Sequence, residues 1–371
     1  MSQSSESFFE GKRPWSMIKD QVLRDYMSPY LAKVNRLRKP ILLIDGYAGP
    51  GIFEDGKIGS PIIMCEAAER FAKGHYQAKF INKDKKHHER LYKELKQRGF
   101  LGPAEPLLGD SKVLLKQIHG SLKEQTVFLY LDPFGPTGCT YALLQPFLNR
   151  HSSFSTEIML TLNMPGTHRL ATFRAAMAGR QDEPLIKDYN QKLTDVFGGE
   201  YWKAIMLQDI DAEEREMQLI EAYRSKLASY LPFTRSCPVR ACTDRRIKYF
   251  IVFASRARDA LVLLNDFMVK AYFAGMHKAD FAHGLWEDTD WREMRSIDGL
   301  DDIIVDLVKK NPGETRKSLW FHLVDQHFMR YLKSEYTDAI QLLIDNKKLT
   351  SPTSRKTRRL NENCTLFLPN T

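Results

Sequence analysis

The chain has 371 residues, of which 43% are hydrophobic and 27% charged, a composition typical of a globular protein with one or two domains. No apolar run approaches the roughly 18–20 residues of a membrane-spanning helix, and the polar N-terminus lacks a signal-peptide core. We therefore expect a cytoplasmic protein without a membrane partner, and the net charge of +9 permits nucleic acid as a partner without establishing one.

The first half of the chain alternates between short apolar runs and helical patterns. After an expected disordered leader at 1–14, an amphipathic helix is predicted from Trp15 to about Arg36. Predicted strands lie at 40–45, 78–82, 107–110, 126–131 and 157–163. Predicted helices lie between them at 61–73, 85–98, 111–122 and 140–149. This alternation predicts an α/β fold with a doubly wound, Rossmann-like and mostly parallel sheet that helices cover on both faces.

The second half of the chain does not show this regular alternation of strands and helices. Residues 165–230 carry helical patterns alone and are interpreted as a helical insertion, and a β-hairpin and a helix at 256–273 complete a domain of residues 15–275. A linker is expected at 276–297. Residues 298–371 then predict three helices and a two-stranded wing, the layout of a small winged-helix domain.

The strand predicted at 40–45 ends in an acid and a glycine-rich turn. The segment reads Asp45-Gly46-Tyr47-Ala48-Gly49-Pro50-Gly51, and glycines there let the backbone approach a ligand. The turn lacks the spacing of a dinucleotide fingerprint and the Lys-Ser/Thr of a phosphate loop. An acid before the glycines suits the cationic amino-acid group of S-adenosylmethionine, and the alternative is a tight turn whose glycines serve packing alone.

The next two strands also end in polar residues. Asn82 and Asp84 follow the second strand, where a cofactor ribose is usually held, and Asp110 follows the third, where it could accept the adenine amine. Each aspartate has an alternative role as the cap of the helix that follows it. The candidate cofactor-binding residues are Asp45, Gly46, Tyr47, Gly49, Gly51, Asn82, Asp84 and Asp110.

Asp132, Pro133 and Phe134 form the candidate reacting end, directly after the strand at 126–131. Proline stiffens the turn, Asp132 could accept hydrogen bonds from a substrate amine, and Phe134 could stack on a flat base. Asp-Pro-Pro-aromatic turns are similar and occur in enzymes that methylate the exocyclic amines of flipped-out bases. The alternative is an ordinary strand-end turn with a helix-capping aspartate.

Basic residues cluster in the predicted winged helix. Arg316, Lys317, Arg330 and Lys333 lie on or beside its second and third helices, and Arg355, Lys356, Arg358 and Arg359 lie on the expected wing. These positions favour contacts with the phosphates of DNA or RNA. The alternative is a solvated basic loop on a domain that docks a protein.

The cysteines and histidines indicate no metal site. The five cysteines are dispersed without a Cys-x-x-Cys pair, and no histidine pair lies near them at ligand spacing. Reduced thiols are expected, with neither a disulfide framework nor a bound metal.

Several of these segments together resemble the three-Cys-motif partner (TcmP) family over roughly residues 15–270. The matching pieces are Trp15, Lys19, Ile44–Gly51, Gly59–Pro61, Phe80–Asp84, Gly109-Asp110 and Leu131–Gly135, with Phe197-Gly198 and Trp202 as weaker matches. The resemblance implies the fold of class I S-adenosylmethionine-dependent methyltransferases, that cofactor, and a partner protein that bears a three-cysteine motif. One departure is Asn82, where family members often carry Glu.

Three functional hypotheses follow. The first is an S-adenosylmethionine-dependent methyltransferase that acts on nucleic acid and uses Asp132 and Phe134 to orient its target. The second is a non-catalytic adaptor that binds DNA through its winged helix, which Asn82 favours. The third is a methyltransferase of a substrate other than nucleic acid.

Overall fold

The computed structural model describes residues 14–171, 178–180, 182–243, 245–282, 290–351 and 361–369, with side chains from residue 16 onward. The chain divides into two compact units, Met1–Ala257 and Arg258–Thr371. Among the helices of the described ranges, none has the length and apolar character needed to cross a membrane.

A seven-stranded sheet forms the centre of the first unit. Its strands are β1 Ile41–Asp45, β2 Tyr76–Asn82, β3 Ala104–Leu108, β4 Thr126–Leu131, β5 Thr156–Asn163, β6 Phe233–Arg240 and β7 Ile247–Ser255. They lie in the order β3-β2-β1-β4-β5-β7-β6, and β7 is antiparallel to both β5 and β6, so it runs opposite to the other six strands. The order reverses at β1 and β4, so a crevice opens outside the carboxyl ends of these two strands.

Burial explains why the central strands are continuous apolar runs. Every residue of β1 and of β4 is buried, as parallel strands covered on both faces require. The strands at 40–45 and 126–131 were predicted from these runs, and the mixed α/β fold with a mostly parallel sheet is confirmed. Asp45 is the one carboxylic acid in either strand, and it is fully buried at the crevice.

Helices precede and connect the strands of the first unit. They are α1 Pro14–Val34, α2 Ser60–Phe71, α3 Lys85–Gln97, α4 Ser111–Ser121, α5 Tyr141–Leu148, α6 Met164–Leu170, α7 Pro184–Phe197, α8 Tyr201–Met206 and α9 Ala212–Ala228. The last four occupy the segment predicted to be helical. The strand predicted at 107–110 lies earlier, because Ala104 pairs with Ala78 of β2. Pro106 is tolerated there because β3 is an edge strand.

The second unit is helical. Its helices are α10 Arg258–Ala282, α11 Leu300–Lys310, α12 Arg316–Gln326 and α13 Lys333–Asp345. The helix predicted at 256–273 is longer than expected, because Met276 and Ala279 continue its buried face. Isolated antiparallel bridges join Thr315 to Thr365 and Thr350 to Phe367. The expected wing falls largely at 352–360, outside the described residues, and the winged-helix assignment and the domain boundaries stay predictions.

Candidate functional site

Two adjoining cavities lie at the carboxyl ends of the parallel strands. The larger cavity has a volume of about 570 Å³ and is lined by residues that include Asn82, Asp84, Asp110, Ser111 and Gly138. The smaller cavity has a volume of about 180 Å³ and is lined by residues that include Lys19, Ser60, Asp132, Thr161 and Tyr249. Both are lined by Tyr47, Pro133 and Phe134, so these three residues mark the place where the cavities meet.

The glycine-rich turn leaves β1 between the two cavities. The Gly46 amide donates to the carbonyl of Tyr130 at 3.0 Å, and a Cβ at Gly46 would lie 2.4 Å from Leu131 Cδ2. Gly51 has a φ of +84°, which favours glycine, and its carbonyl accepts from the Gly59 amide at 2.7 Å. At Gly46, therefore, packing against β4 requires a glycine, while Gly49 lines the smaller cavity.

Asp45 lies behind this turn, and neither cavity is lined by it. One carboxylate oxygen accepts from the Tyr47 amide at 3.0 Å, and the other accepts from Ser60 Oγ at 2.6 Å. Burial raises the pKa of Asp45 to about 7, against the lowering effect of these hydrogen bonds. In this structure Asp45 ties the turn to the start of α2, and its direct contact with a cofactor stays a prediction.

The polar residues after β2 and β3 meet at the larger cavity. One oxygen of Asp84 accepts from the His87 amide at 2.9 Å, and one oxygen of Asp110 accepts from the Lys112 amide at 2.9 Å. These hydrogen bonds lower the pKa of both carboxyls and cap α3 and α4. Asn82 is 3% exposed and donates to the Gly49 carbonyl at 3.4 Å. The aspartates therefore cap helices and line the cavity at once.

Asp132 is held by two residues in the smaller cavity. Lys19 Nζ of α1 forms an ion pair with one carboxylate oxygen, and Thr161 Oγ1 of β5 donates to the other at 2.6 Å. The side chains of Lys19 and Asp132 are 12% and 23% exposed. A substrate amine would have to share Asp132 with these partners. Phe134 is 58% exposed and lines both cavities.

Sequence reasoning missed several residues of this site. Lys19 was part of the family resemblance but was not proposed as a site residue, and Thr161, Ser111 and Tyr249 were not identified. Lys19 and Asp132 are 113 positions apart, so no local pattern joins them. Ser111 Oγ donates to the Gly46 carbonyl at 2.5 Å, another long-range contact. The available signal was that Ser111 directly follows the candidate Asp110.

The predicted nucleic-acid contacts divide into three groups. Arg316, Lys317 and Lys333 line a separate cavity in the second unit. Arg330 does not line that cavity and donates to the Asp298 carbonyl at 3.2 Å. The remaining four, Arg355, Lys356, Arg358 and Arg359, lie outside the described residues.

No protein-family model matches the chain, and no curated protein matches it. Among solved structures, it is similar to a methyltransferase from Geobacter sulfurreducens at 16% identity and a TM-score of 0.25, over 36% of this chain and 58% of that one. It is also similar to two proteins from Thermotoga maritima. The values for a SAM-dependent O-methyltransferase are 11% identity and a TM-score of 0.29, over 62% of this chain and 63% of that one. For a spermidine synthase the identity is 11% and the TM-score 0.33, over 71% of this chain and 72% of that one.

The chain thus spans less than two thirds of the first two of these proteins, and all three TM-scores are low. The assignment of the fold rests on the strand order and directions of the sheet itself.

Proposed function

We propose that the first unit binds S-adenosylmethionine and transfers its methyl group to an amine nitrogen of a nucleic-acid base. The observation that carries this proposal is the pair of cavities that meet at Tyr47, Pro133 and Phe134, outside the strand ends where the sheet order reverses. Open α/β sheets bind ligands at this place. Two joined cavities suit a reaction in which a cofactor and an acceptor must be brought together.

The larger cavity has the size and chemistry for the nucleoside part of the cofactor. Its volume of about 570 Å³ lies within the range of small-molecule sites. Asp84 and Asp110 offer carboxylate oxygens for the ribose hydroxyls and the adenine amine, and Asn82 lies beside them. Bound there, S-adenosylmethionine would supply an electrophilic methyl group on a sulfonium centre.

The smaller cavity has groups that can hold an amine. Asp132 can accept a hydrogen bond from an amine N–H, and Lys19 and Thr161 fix the direction of its carboxylate. Phe134 can stack on a base that has left its duplex. Methyl transfer would then depend on positioning the nitrogen: the N–C bond would form as the sulfonium S–C bond breaks, and the proton that the nitrogen gives up would pass to solvent. No metal is part of this proposal, and a three-cysteine-motif protein is the partner that the family resemblance suggests.

Calorimetric titration with S-adenosylmethionine and S-adenosylhomocysteine tests the proposal. We expect micromolar binding to the wild type and about tenfold weaker binding to Asp84→Asn, because hydrogen bonds to charged groups contribute about 1.5–3 kcal/mol. Asp211→Asn is the matched control: Asp211 also caps a helix, α9, but lines neither cavity. Asparagine caps helices as well as aspartate does, so both variants should fold. The absence of heat up to millimolar ligand would contradict the proposal.

A non-catalytic adaptor is the second candidate, and Asn82 is the observation that favours it. The Asn82 amide is engaged with the glycine-rich turn, and it occupies the position where an acid would hold ribose most strongly. The adaptor would be supported if the protein binds nucleic acid with an affinity that falls as salt rises but binds neither S-adenosylmethionine nor S-adenosylhomocysteine. Cofactor binding without any nucleic-acid binding would instead favour a methyltransferase of another substrate.

A further inference from the structure

A cavity of about 230 Å³ lies entirely within the second unit, between the start of α10, the first turns of α12 and the start of α13. Its charged lining residues are Arg258, Asp259, Arg316, Lys317, Lys333 and Glu362. A single water needs only about 15 Å³, so the cavity has room for a polyatomic group. It is distinct from the two cavities of the first unit.

The wall of this cavity carries an excess of positive charge, because four cationic side chains face two carboxylates. Lys317 Nζ lies 3.8 Å from Asp259 Oδ1, and Lys333 pairs with Glu362. The side chains of Lys317 and Lys333 are 56% and 41% exposed, so both can turn toward a ligand. An anion is the ligand that this arrangement favours.

Arg258 is fixed in place at this wall. Its guanidinium carbon lies 3.6 Å from the centre of the Phe321 ring, and Nη2 donates to the carbonyl and Oγ of Ser318 at 3.3 Å each. Within the described residues, Arg258 donates hydrogen bonds through Nη2 alone. A stacked guanidinium presents its remaining N–H groups in a fixed plane, a geometry that suits the oxygens of a phosphate.

The start of α12 and the side chains around it also favour an anion as the ligand of this cavity. The helix has 11 residues and places the positive end of its dipole at Thr315 and Arg316. Its first amides already donate to carbonyls, Arg316 to Cys364 at 2.8 Å and Lys317 to Glu362 at 2.9 Å, so side chains must bind the ligand. The Trp320 side chain, 1% exposed, also lines the cavity, and its indole N–H has no partner among the described residues. Buried donors are ordinarily paired, and an anion supplies acceptors.

We propose that this cavity binds a phosphate group through Arg258, Lys317 and Lys333, and that a nucleic-acid backbone supplies the phosphate. Arg258 is a member of the site that sequence patterns did not indicate. The choice of nucleic acid rests on the proposed function, whereas the choice of phosphate rests on the cavity alone. A free phosphate or nucleotide is the other source of the same chemistry.

The test measures how binding of a short DNA duplex to the full chain depends on salt, alongside calorimetric titration with pyrophosphate. Arg258→Gln and Lys317→Gln should each reduce the slope of log affinity against log salt by about one, because each removes one phosphate contact. Lys310→Gln is the matched control: it removes the same charge from an exposed position of α11 that lines no part of the cavity. Arg258→Lys keeps the charge without the stacked fork, and should keep the slope while weakening affinity. Thermal unfolding checks that each variant folds.

The outcomes separate this inference from the proposed function. If folded Arg258→Gln and Lys317→Gln bind the duplex with an unchanged slope of log affinity against log salt, the cavity is not the phosphate site. The proposal that the protein binds nucleic acid would then still stand. Pyrophosphate binding that Arg258→Gln abolishes, without duplex binding, would keep the phosphate site and overturn its nucleic-acid source. Binding of neither ligand to the wild type would overturn the inference altogether.

Discussion

At the scale of single residues, the ion pair between Lys19 and Asp132 connects α1 to the end of β4. Both side chains are largely buried, and Thr161 also donates to Asp132. Charge-assisted hydrogen bonds of this kind are stronger than exposed ion pairs, because less solvent screens them. The pair therefore fixes the carboxylate that the proposed reaction uses.

A double-mutant cycle with Lys19→Ala and Asp132→Ala should give a coupling energy of about 1–3 kcal/mol in urea unfolding. The control is the pair Lys85 and Glu89, whose nitrogen and oxygen lie 3.9 Å apart and whose side chains are 78% and 57% exposed. An exposed pair on a helix should couple by less than about 0.5 kcal/mol. Equal coupling in the two cycles would show that Lys19 does not hold Asp132.

At the scale of elements, the turn after β1 depends on close packing against β4. A methyl group at Gly46 would meet Leu131, which is fully buried and has little room to move. Gly46→Ala should therefore destabilise the protein by about 1–3 kcal/mol, as overpacked cores do. The same variant should weaken S-adenosylmethionine binding, because the turn forms part of both cavities.

Gly120→Ala is the matched control for Gly46→Ala. Gly120 lies near the end of α4, and a Cβ there would meet nothing within 4 Å. Alanine is preferred over glycine in helices by up to about 1 kcal/mol, so this variant should be neutral or stabilising in urea unfolding. A similar loss of stability in both variants would mean that Gly46 has no special packing role.

The elements also show how far local patterns reach. β1 and β4 follow directly from their apolar runs, and the caps at Asp84 and Asp110 follow from residue type and position. The extent of β3 depends on pairing with β2, which no short window contains. The contact of Lys19 with Asp132 likewise requires the finished sheet. The sequence therefore predicted the site residues at the strand ends but not the contribution of Lys19 from α1.

At the scale of the whole molecule, the first unit contains two fully buried carboxyls on different strands. Asp45 ends β1, and Glu157 lies in β5, where it accepts from Tyr26 Oη at 2.5 Å and Ser255 Oγ at 3.2 Å. Burial raises the pKa of each to about 7, because the charged form is poorly solvated there. Both groups make the stability of the fold depend on pH.

Because these pKa values are raised on folding, the folded state binds more protons than the unfolded state between about pH 4 and pH 7. The free energy of unfolding should therefore fall as pH rises through this window. Asp45→Asn and Glu157→Gln should each remove part of this dependence, because an amide does not ionise. Its oxygen can still accept one hydrogen bond, and its NH2 group can donate to the oxygen of a hydroxyl partner. The free energy of unfolding of each variant should be larger than that of the wild type by on the order of 2–4 kcal/mol at pH 8, and the two should differ little at pH 4.

Urea unfolding of the wild type and these variants, measured from pH 4 to pH 8, checks this prediction. Glu89→Gln is the control, since an exposed carboxylate should leave the pH dependence unchanged. Parallel profiles for Asp45→Asn and the wild type would mean that Asp45 ionises near its ordinary pKa. In that case water or a counter-charge reaches the turn, and Asp45 would be available to a cationic ligand after all.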